Sequence, residues 1–475
     1  MNKKLIQNFL YQGSYQILIT ILPVITIPII SRSLGPKGVG TWNYINSIVS
    51  YFILIAGLGL NSYGVREIAL ANTSKKNLSR KFWELEIFNV FFSLITLFVY
   101  LCFSFLMNDT ILFLIQGLAL LGSLFDISWF FSGIEDFKRV TQINFFVKVL
   151  SFICIVLFIN DQNDLWKYFF IQSITILVSQ ICFWFFLKNK VEFVRIKFKD
   201  SIQHFLPALS FFVAKIAGNI FFNINKTILG ILTTMSVVGY FSNSLSMIWL
   251  ATNLVSSLNI VMIPRMSDLY GKKESQKMDF LLRKIIHFQL FFTILVMFGI
   301  ITINGKMIGW FFGNQFLPIA RMVPFLAPIV VLQSLHSAIA NQYLIPKGEI
   351  KSYNYTIIIA TIFTVFLDVI LIPFIGIYGA ITGLVLGQVL VTTLRVKALK
   401  KASSFSFEWK LIIKSLISGI VMCILTVLLT RNMPSTIITT IVQMMTATSV
   451  YFVLTTLLKC NPLSSLILKR YGRNK

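Results

Sequence analysis

Acidic residues are scarce in this chain: 17 Asp and Glu stand against 42 Lys and Arg, and charged residues make up only 12% of 475 positions. A soluble domain carries about 25% charged residues, so a water-soluble globular protein is excluded. The five cysteines, Cys102, Cys154, Cys182, Cys423 and Cys460, have neither metal-ligand spacing nor the density of a disulfide framework. The three histidines, His204, His287 and His336, lie far apart in sequence. There is no HExxH, no Walker loop, no GxSxG and no strand-preceded GxGxxG. An enzyme, a nucleotide-driven pump and a metal site are therefore not expected, and no catalytic residue or cofactor is assigned. Long loops are missing as well, which leaves no room for a soluble domain.

What is abundant is apolar sequence, at 56% of residues with a mean hydropathy of +0.80. Apolar runs of about 18–25 residues recur from end to end, each long enough to cross a hydrocarbon core of about 30 Å. Backbone groups in lipid must be satisfied internally, so these runs are expected to be helices. They are too long for the short alternating strands of a barrel. The expected spans are 9–31, 42–63, 82–107, 110–132, 143–160, 166–187, 205–230, 236–260, 284–304, 318–343, 353–375, 377–396, 410–430 and 434–458. The expected class is an all-α polytopic membrane protein with about fourteen transmembrane helices.

The net charge of +25 alternates from one side of this scheme to the other. Lys75, Lys76, Arg80 and Lys81 fall on one side, as do Lys188 to Lys199, Lys272, Lys273, Lys397, Lys400 and the tail Lys469 to Lys475. The other side holds only Arg32, Lys37, Lys306 and Arg431. The positive-inside rule then puts both termini in the cytoplasm. The basic excess reads as topology, with some contact to anionic lipid, and not as nucleic-acid binding. The first span has no small-residue cleavage site and reads as a retained helix.

Polar residues inside the spans narrow the function. Lys215, Asn219, Asn223 and Lys226 fall within roughly 80° of one another on a helix. A lysine at mid-membrane costs about 2.5–3.5 kcal/mol or more and needs an aqueous cavity or an anionic partner. Asn243, Ser246, Asn253 and Ser257 form a second polar face on the next span; such faces either glue helices together or line a wet cavity. Lys148 lies in span five, while Arg32, Arg66 and Arg321 lie near span ends, where snorkelling is the rival reading. The acids Asp126 and Asp368 are the candidates for ion coupling, although a Lys148–Asp126 salt bridge would explain both partners. Cations outnumber acids, so an anionic ligand such as a phosphate or diphosphate is expected. Pro23 and Pro28 in span one mark either a static kink or a hinge. Val39-Gly40 and Val238-Gly239 open spans two and eight, a weak repeat pairing spans 1–6 with spans 7–12. The expected domains are a six-helix lobe at 1–200, a second at 201–403, and two extra helices with a basic tail at 404–475. Transporters commonly place their substrate between such repeats.

Several short segments in matching order carry a family resemblance. They include Ile30-Ser-Arg-Ser-Leu-Gly-Pro36, Trp129-Phe-Phe-Ser-Gly-Ile-Glu-Asp-Phe-Lys138, Phe146-Val-Lys-Val-Leu-Ser151, Lys226-Thr-Ile-Leu-Gly230, Ile263-Pro-Arg265, Leu344-Ile-Pro-Lys-Gly348 and Gly376-Ile-Tyr-Gly379. Over nearly its whole length the chain resembles the Wzx-type polysaccharide repeat-unit flippases of the MATE-like exporter superfamily. The resemblance implies two six-helix lobes plus two helices and a V-shaped cavity. The implied activity is flipping of undecaprenyl-diphosphate-linked oligosaccharide to the outer face of the bacterial cytoplasmic membrane, for O-antigen, capsule or exopolysaccharide. It carries basic roles onto Arg32, Lys148 and Lys226. Many relatives have Asp-Lys where this chain has Asn225-Lys226, which makes the lobe more cationic. A proton or sodium gradient is the expected energy source, a polysaccharide polymerase the expected neighbour, and a monomer the expected state. The alternatives are a lipid II flippase, which shares the mechanism, and a multidrug or cation antiporter, which would call for an acidic cavity.

Overall fold

The computed structural model describes residues 3–463, and among them there is no strand. The basic tail Lys469 to Lys475 lies outside the described residues. The helices are α1 (Lys3–Gly57), α2 (Leu60–Ala71), α3 (Lys75–Phe105), α4 (Thr110–Ser123), α5 (Ser128–Gly133), α6 (Phe137–Phe158), α7 (Leu165–Phe185), α8 (Phe198–Ile202) and α9 (Phe205–Leu232). They continue with α10 (Met235–Gly271), α11 (Ser275–Phe311), α12 (Val323–Leu326), α13 (Pro328–Ile339), α14 (Ile350–Ile375), α15 (Ile377–Ala402), α16 (Trp409–Leu429) and α17 (Ile437–Leu457). Eleven helical stretches among the described residues are long and apolar enough to cross a membrane, or twelve if a bent pair at Phe198–Val213 and Lys215–Leu232 counts as one span. The first of the eleven, Leu18–Ala71, has 54 residues; at 1.5 Å per residue that is more than twice the length of one crossing. The outward surface matches a lipid environment, with Phe98 at 70% exposure, Phe105 at 68% and Phe374 at 83%.

The chain forms two compact units, Met1–Val238 and Gly239–Lys475. In the first, Phe82, Phe88, Trp129, Phe130, Phe131 and Phe183 form a buried aromatic core joining α2, α3, α5 and α7. A second cluster, including Ile45, Val49, Tyr100, Phe113 and Phe169, seals α1 against α3, α4 and α7. A polar ladder runs through this packing. Gln116 donates to Asn46 Oδ1 at 3.1 Å and accepts from Ser173 at 2.8 Å. In the second unit α14 and α15 form a tight hairpin at Gly376, and Gly379 leaves no room for a Cβ against the Leu371 backbone, 2.6 Å away. The helices α16 and α17 dock on α11 through Phe291, Met422 and Tyr451, with the Tyr451 hydroxyl donating to Phe291 O at 3.0 Å.

Three departures from the expected spans shape the first unit. Pro23 and Pro28 lie within continuous helix; α1 breaks at Gly35, whose φ is 65°, inside the connection expected between spans 9–31 and 42–63. The expected span 42–63 ends early, because Leu58 and Gly59 take φ of 34° and 82° and start α2 in a new direction. The expected span 110–132 is interrupted at 124–127, between α4 and α5. Span ten, expected at 318–343, carries Pro318, Pro324 and Pro328, each of which removes a helix hydrogen bond, and it is broken too. It runs as a 3-10 turn at Asn314–Arg321, α12, α13 and a π-helical turn at Ala340–Leu344.

Gly59 has a specific job at the α1–α2 joint. A Cβ there would lie 2.6 Å from Ala208 O and 3.0 Å from Phe212 N, both on α9. A side chain adds the steric cost of positive φ, about 1–2 kcal/mol, to the displacement of α9. Gly59→Val is expected to lower stability by about 2–4 kcal/mol. Gly57→Ala, where nothing lies within 4 Å of the added methyl, is expected to be near neutral. Thermal unfolding of the purified variants checks the contrast; equal midpoints would contradict it.

Candidate functional site

The first unit holds the larger share of the expected site residues. Lys148, on α6, opens onto a cavity of about 230 Å³ bounded by α1, α6 and α7. Its wall is mostly aliphatic, with Thr26, Ser151, Tyr168 and Gln172 as the polar members and no acid. Pro23 lines the same cavity. Lacking an N–H, it cannot bond the carbonyl of Ile19 one turn earlier, and Ile19 is also in the wall. Tyr168 accepts from Gln172 at 3.1 Å and stands edge-on to Trp42, ring centroids 4.9 Å apart. Lys148 makes no ion pair among the described residues, so the expected alternative of a Lys148–Asp126 bridge does not form.

Lys215, on α9, is the cation whose charge acts on Asp126. Asp126 sits in the gap between α4 and α5, where its Oδ1 accepts from Ser128 N at 2.9 Å. Three donors from three places close this gap. Asn89 donates to Ser123 O at 3.0 Å, Trp184 Nε1 to Phe125 O at 2.9 Å, and Trp129 Nε1 to Asp126 O at 2.7 Å. Unwound backbone within a span is tolerated only where its polar groups are met in this way.

The polar stripe of α9 lies along α1. Ser50 donates to Asn219 Oδ1 at 3.2 Å, and Thr227 is within 2.8 Å of Ser47 Oγ and 3.0 Å of Tyr51 Oη. Asn223 turns back to Asn219 O at 3.2 Å. Asn219 and Asn223 therefore belong to a hydrogen-bonded helix seam, while Lys226, half-buried on the same helix, meets no acid among the described residues. Asn225 is buried. Arg32 on α1 and Arg66 on α2 are exposed. The second unit holds the remaining expected residues: Asn243 buried and Asn253 exposed on α10, Arg321 exposed at the end of the 3-10 turn, and Asp368 buried on α14 against Gly383 of α15. The side chain of Ser257 lies outside the described residues.

Sequence reading missed two acids in the third span. Glu84 and Glu86 are 3% and 2% exposed. Glu84 is taken up by Arg80 at 2.9 Å, Lys81 at 2.7 Å and His204 at 3.3 Å, and His204 Nδ1 lies 2.7 Å from Tyr63 Oη. Two residues on a helix are about 200° apart, so Glu86 faces the other way. The signal was present as Glu-Leu-Glu inside the expected span 82–107. His336 has a packing role, with one ring nitrogen 2.8 Å from Gln388 Oε1 and the other accepting from Arg395 at 3.0 Å.

Known proteins give this geometry a context. Over 408 residues the chain is 23% identical to a protein of Shigella dysenteriae described as an O-antigen transporter, covering 84% of this chain and 100% of the relative. A protein of Escherichia coli K12 with the same description is 21% identical, over 82% of this chain and 95% of its own length. The solved structure of the lipid II flippase MurJ in an inward closed conformation superposes with a TM-score of 0.73 at 15% identity, over 95% of this chain and 98% of that one; at that identity the likeness establishes the fold. A family model described as polysaccharide biosynthesis protein matches residues 5–270. That match takes in α1 to α9 and nearly all of α10, more than half of the chain, and on it this multi-pass membrane protein belongs to the polysaccharide biosynthesis protein family.

Proposed function

We propose that the protein flips undecaprenyl-diphosphate-linked oligosaccharide repeat units from the cytoplasmic to the outer face of the bacterial inner membrane, for surface polysaccharide assembly. Lys148 carries this reading: a cation in a cavity without a single acid, within the spans of a protein whose family serves polysaccharide biosynthesis. Lysine binds phosphate as a point charge. Ligand pockets usually exceed about 300 Å³, so a cavity of about 230 Å³ seats a diphosphate head and leaves the sugars outside it. Lys226 is the second cation assigned to the diphosphate, with Arg32, Arg66 and Arg321 as outlying attractors. Fourteen crossings with both termini cytoplasmic, a monomeric state, coupling to a proton or sodium gradient and an adjacent polymerase complete the proposal.

The MurJ-like fold favours a second reading, lipid II as cargo, which keeps the diphosphate and changes the sugars. A cation antiporter is disfavoured by the acid-free cavity. The test is reconstitution in liposomes with a fluorescent undecaprenyl-diphosphate oligosaccharide in one leaflet. Transfer by the wild-type protein is expected, together with loss of surface polysaccharide when the gene is deleted. No transfer and an unchanged cell surface would dismiss the reading; transfer of lipid II alone would select the second.

A further inference from the structure

Two of the helices that build the Lys148 cavity also build a second space. On α6, Lys148, Phe152 and Ile155 face the cavity, while Val147, Leu150, Cys154 and Phe158 face a groove of about 460 Å³. On α7, Tyr168 and Gln172 serve the cavity, while Trp166, Phe170, Ile174 and Val178 serve the groove. Steps of three and four residues give each helix two neighbouring stripes, one for each space. Ser151 belongs to both walls and is buried, so the partition there is one small side chain.

The groove is apolar and open at its surface. Leu150, Phe158, Trp166, Phe170 and Val178 form an exposed rim over a buried floor of Ser151, Ile171 and Thr175. The Thr175 hydroxyl is turned back to Ile171 O at 2.5 Å. The charged member of the wall, Lys167, is paired with Asp164 at 2.5 Å. From Val147 to Phe158, α6 rises about 16 Å, half of a hydrocarbon core of about 30 Å. Lys148 marks the deep end of the groove. Trp166 and Lys167 mark the membrane face, where such residues anchor helix ends.

This arrangement fits one molecule with two unlike ends. A diphosphate at Lys148 fills a cavity of about 230 Å³, so a long apolar chain attached to it has to leave through the wall. At Ser151 that wall gives onto an apolar groove. A bilayer phospholipid is the rival occupant, with its head group at the membrane face beside Trp166. It accounts for an apolar groove, but not for one whose deep end adjoins an acid-free cavity with a lysine. We propose that the groove between α6 and α7 holds the first isoprene units of the cargo's polyprenyl chain, which passes from the Lys148 cavity over Ser151. The proposal rests on the flipping reading for the diphosphate at Lys148; capture of the chain is measured without transfer.

A photoreactive undecaprenyl diphosphate, with a diazirine in the chain near the diphosphate and no sugar, tests this. The purified protein is placed in liposomes of phosphatidylglycerol and phosphatidylethanolamine. The label is expected on the peptides of α6 and α7 that border the groove. Excess unlabelled undecaprenyl diphosphate should compete, and extra phosphatidylglycerol should not. Label confined to other helices overturns the proposal, and equal competition by phosphatidylglycerol makes the groove an ordinary acyl-chain site and overturns it too. Cys154→Trp fills the groove and is expected to weaken capture about tenfold, the factor for excluding roughly two buried methylene groups. It should also reduce the preference for undecaprenyl over geranyl diphosphate as competitor, whereas Lys148→Met should weaken both competitors alike. An unchanged preference in Cys154→Trp counts against the groove. If that variant does not fold, Val178→Trp on the exposed rim replaces it. Label on α6 and α7 without transfer of lipid-linked oligosaccharide by the wild type would defeat the flipping reading and leave the polyprenyl site standing. Transfer with the label elsewhere would do the reverse.

Discussion

Export falls by about 100- to 10,000-fold when Lys148→Met and Lys226→Met are combined. A hydrogen bond to a charged group contributes about 1.5–3 kcal/mol, so losing two such contacts to a diphosphate costs about 3–6 kcal/mol, and each 1.4 kcal/mol is a factor of ten. Each single substitution should cost roughly 10- to 100-fold on the same scale. Methionine keeps the apolar stem and the helix propensity of lysine while removing a charge that the membrane interior penalises. The double variant should therefore be at least as thermally stable as the wild type, which separates lost binding from lost folding. Lys148→Arg should recover part of the activity, because the charge remains while its fork geometry differs from a point charge. Surface polysaccharide measured in a deletion strain carrying each variant checks these values. Wild-type export by the double variant would remove both lysines from the diphosphate site.

The second large effect lies in the other unit, where His336→Leu should destabilise more than Arg395→Met. Arg395 is 3% exposed and has no carboxylate partner among the described residues. Neutral groups hold it instead: His336 Nδ1 and His336 O at 3.0 Å each, Thr356 Oγ1 at 3.2 Å, and the face of Tyr353 at 4.7 Å. With Nδ1 accepting, Nε2 of His336 carries the proton and donates to Gln388 Oε1. Removing His336 leaves a buried charge short of an acceptor, worth about 3–5 kcal/mol once the cavity is included. Removing the charge leaves only neutral groups to re-pair, worth about 1–3 kcal/mol. The double variant should therefore resemble Arg395→Met alone, a coupling well above 0.5 kcal/mol. Thermal unfolding of the four proteins measures it, and simple additivity would refute the argument.

Hydropathy made the spans legible because lipid demands long apolar helices whatever else the sequence does. It did not reveal where they bend. Pro23 and Pro28 do not break α1; the chain turns at Gly35, within the expected connection, and at Gly59, inside an expected span, where positive φ is reached without a Cβ clash. Pro318, Pro324 and Pro328 did mark real interruptions. Of the site, Lys148 and Lys226 could be read as cations standing in apolar runs, and among the described residues neither meets an acid. Partners could not be read. Asp126 lies within the field of Lys215, about ninety residues further along the sequence, and no local pattern encodes that. The seam of Asn219 and Thr227 on α1 was equally hidden, because helical geometry identifies a polar face without identifying what it meets.

The gap between α4 and α5 survives in a span because Trp184 and Trp129 supply N–H groups to the carbonyls of Phe125 and Asp126, and Asn89 adds a second donor to the carbonyl of Ser123, which also accepts from Asp126 N. That requirement can be carried to other sequences. Any relative that keeps the interrupted span must provide a donor at each of the three corresponding positions, while the residues between them are free to vary. Relatives with leucine or phenylalanine at all three would have to run the span as one continuous helix. Such a three-position filter sorts distant members of the family by the architecture of a single span, at identities too low for overall alignment to do so.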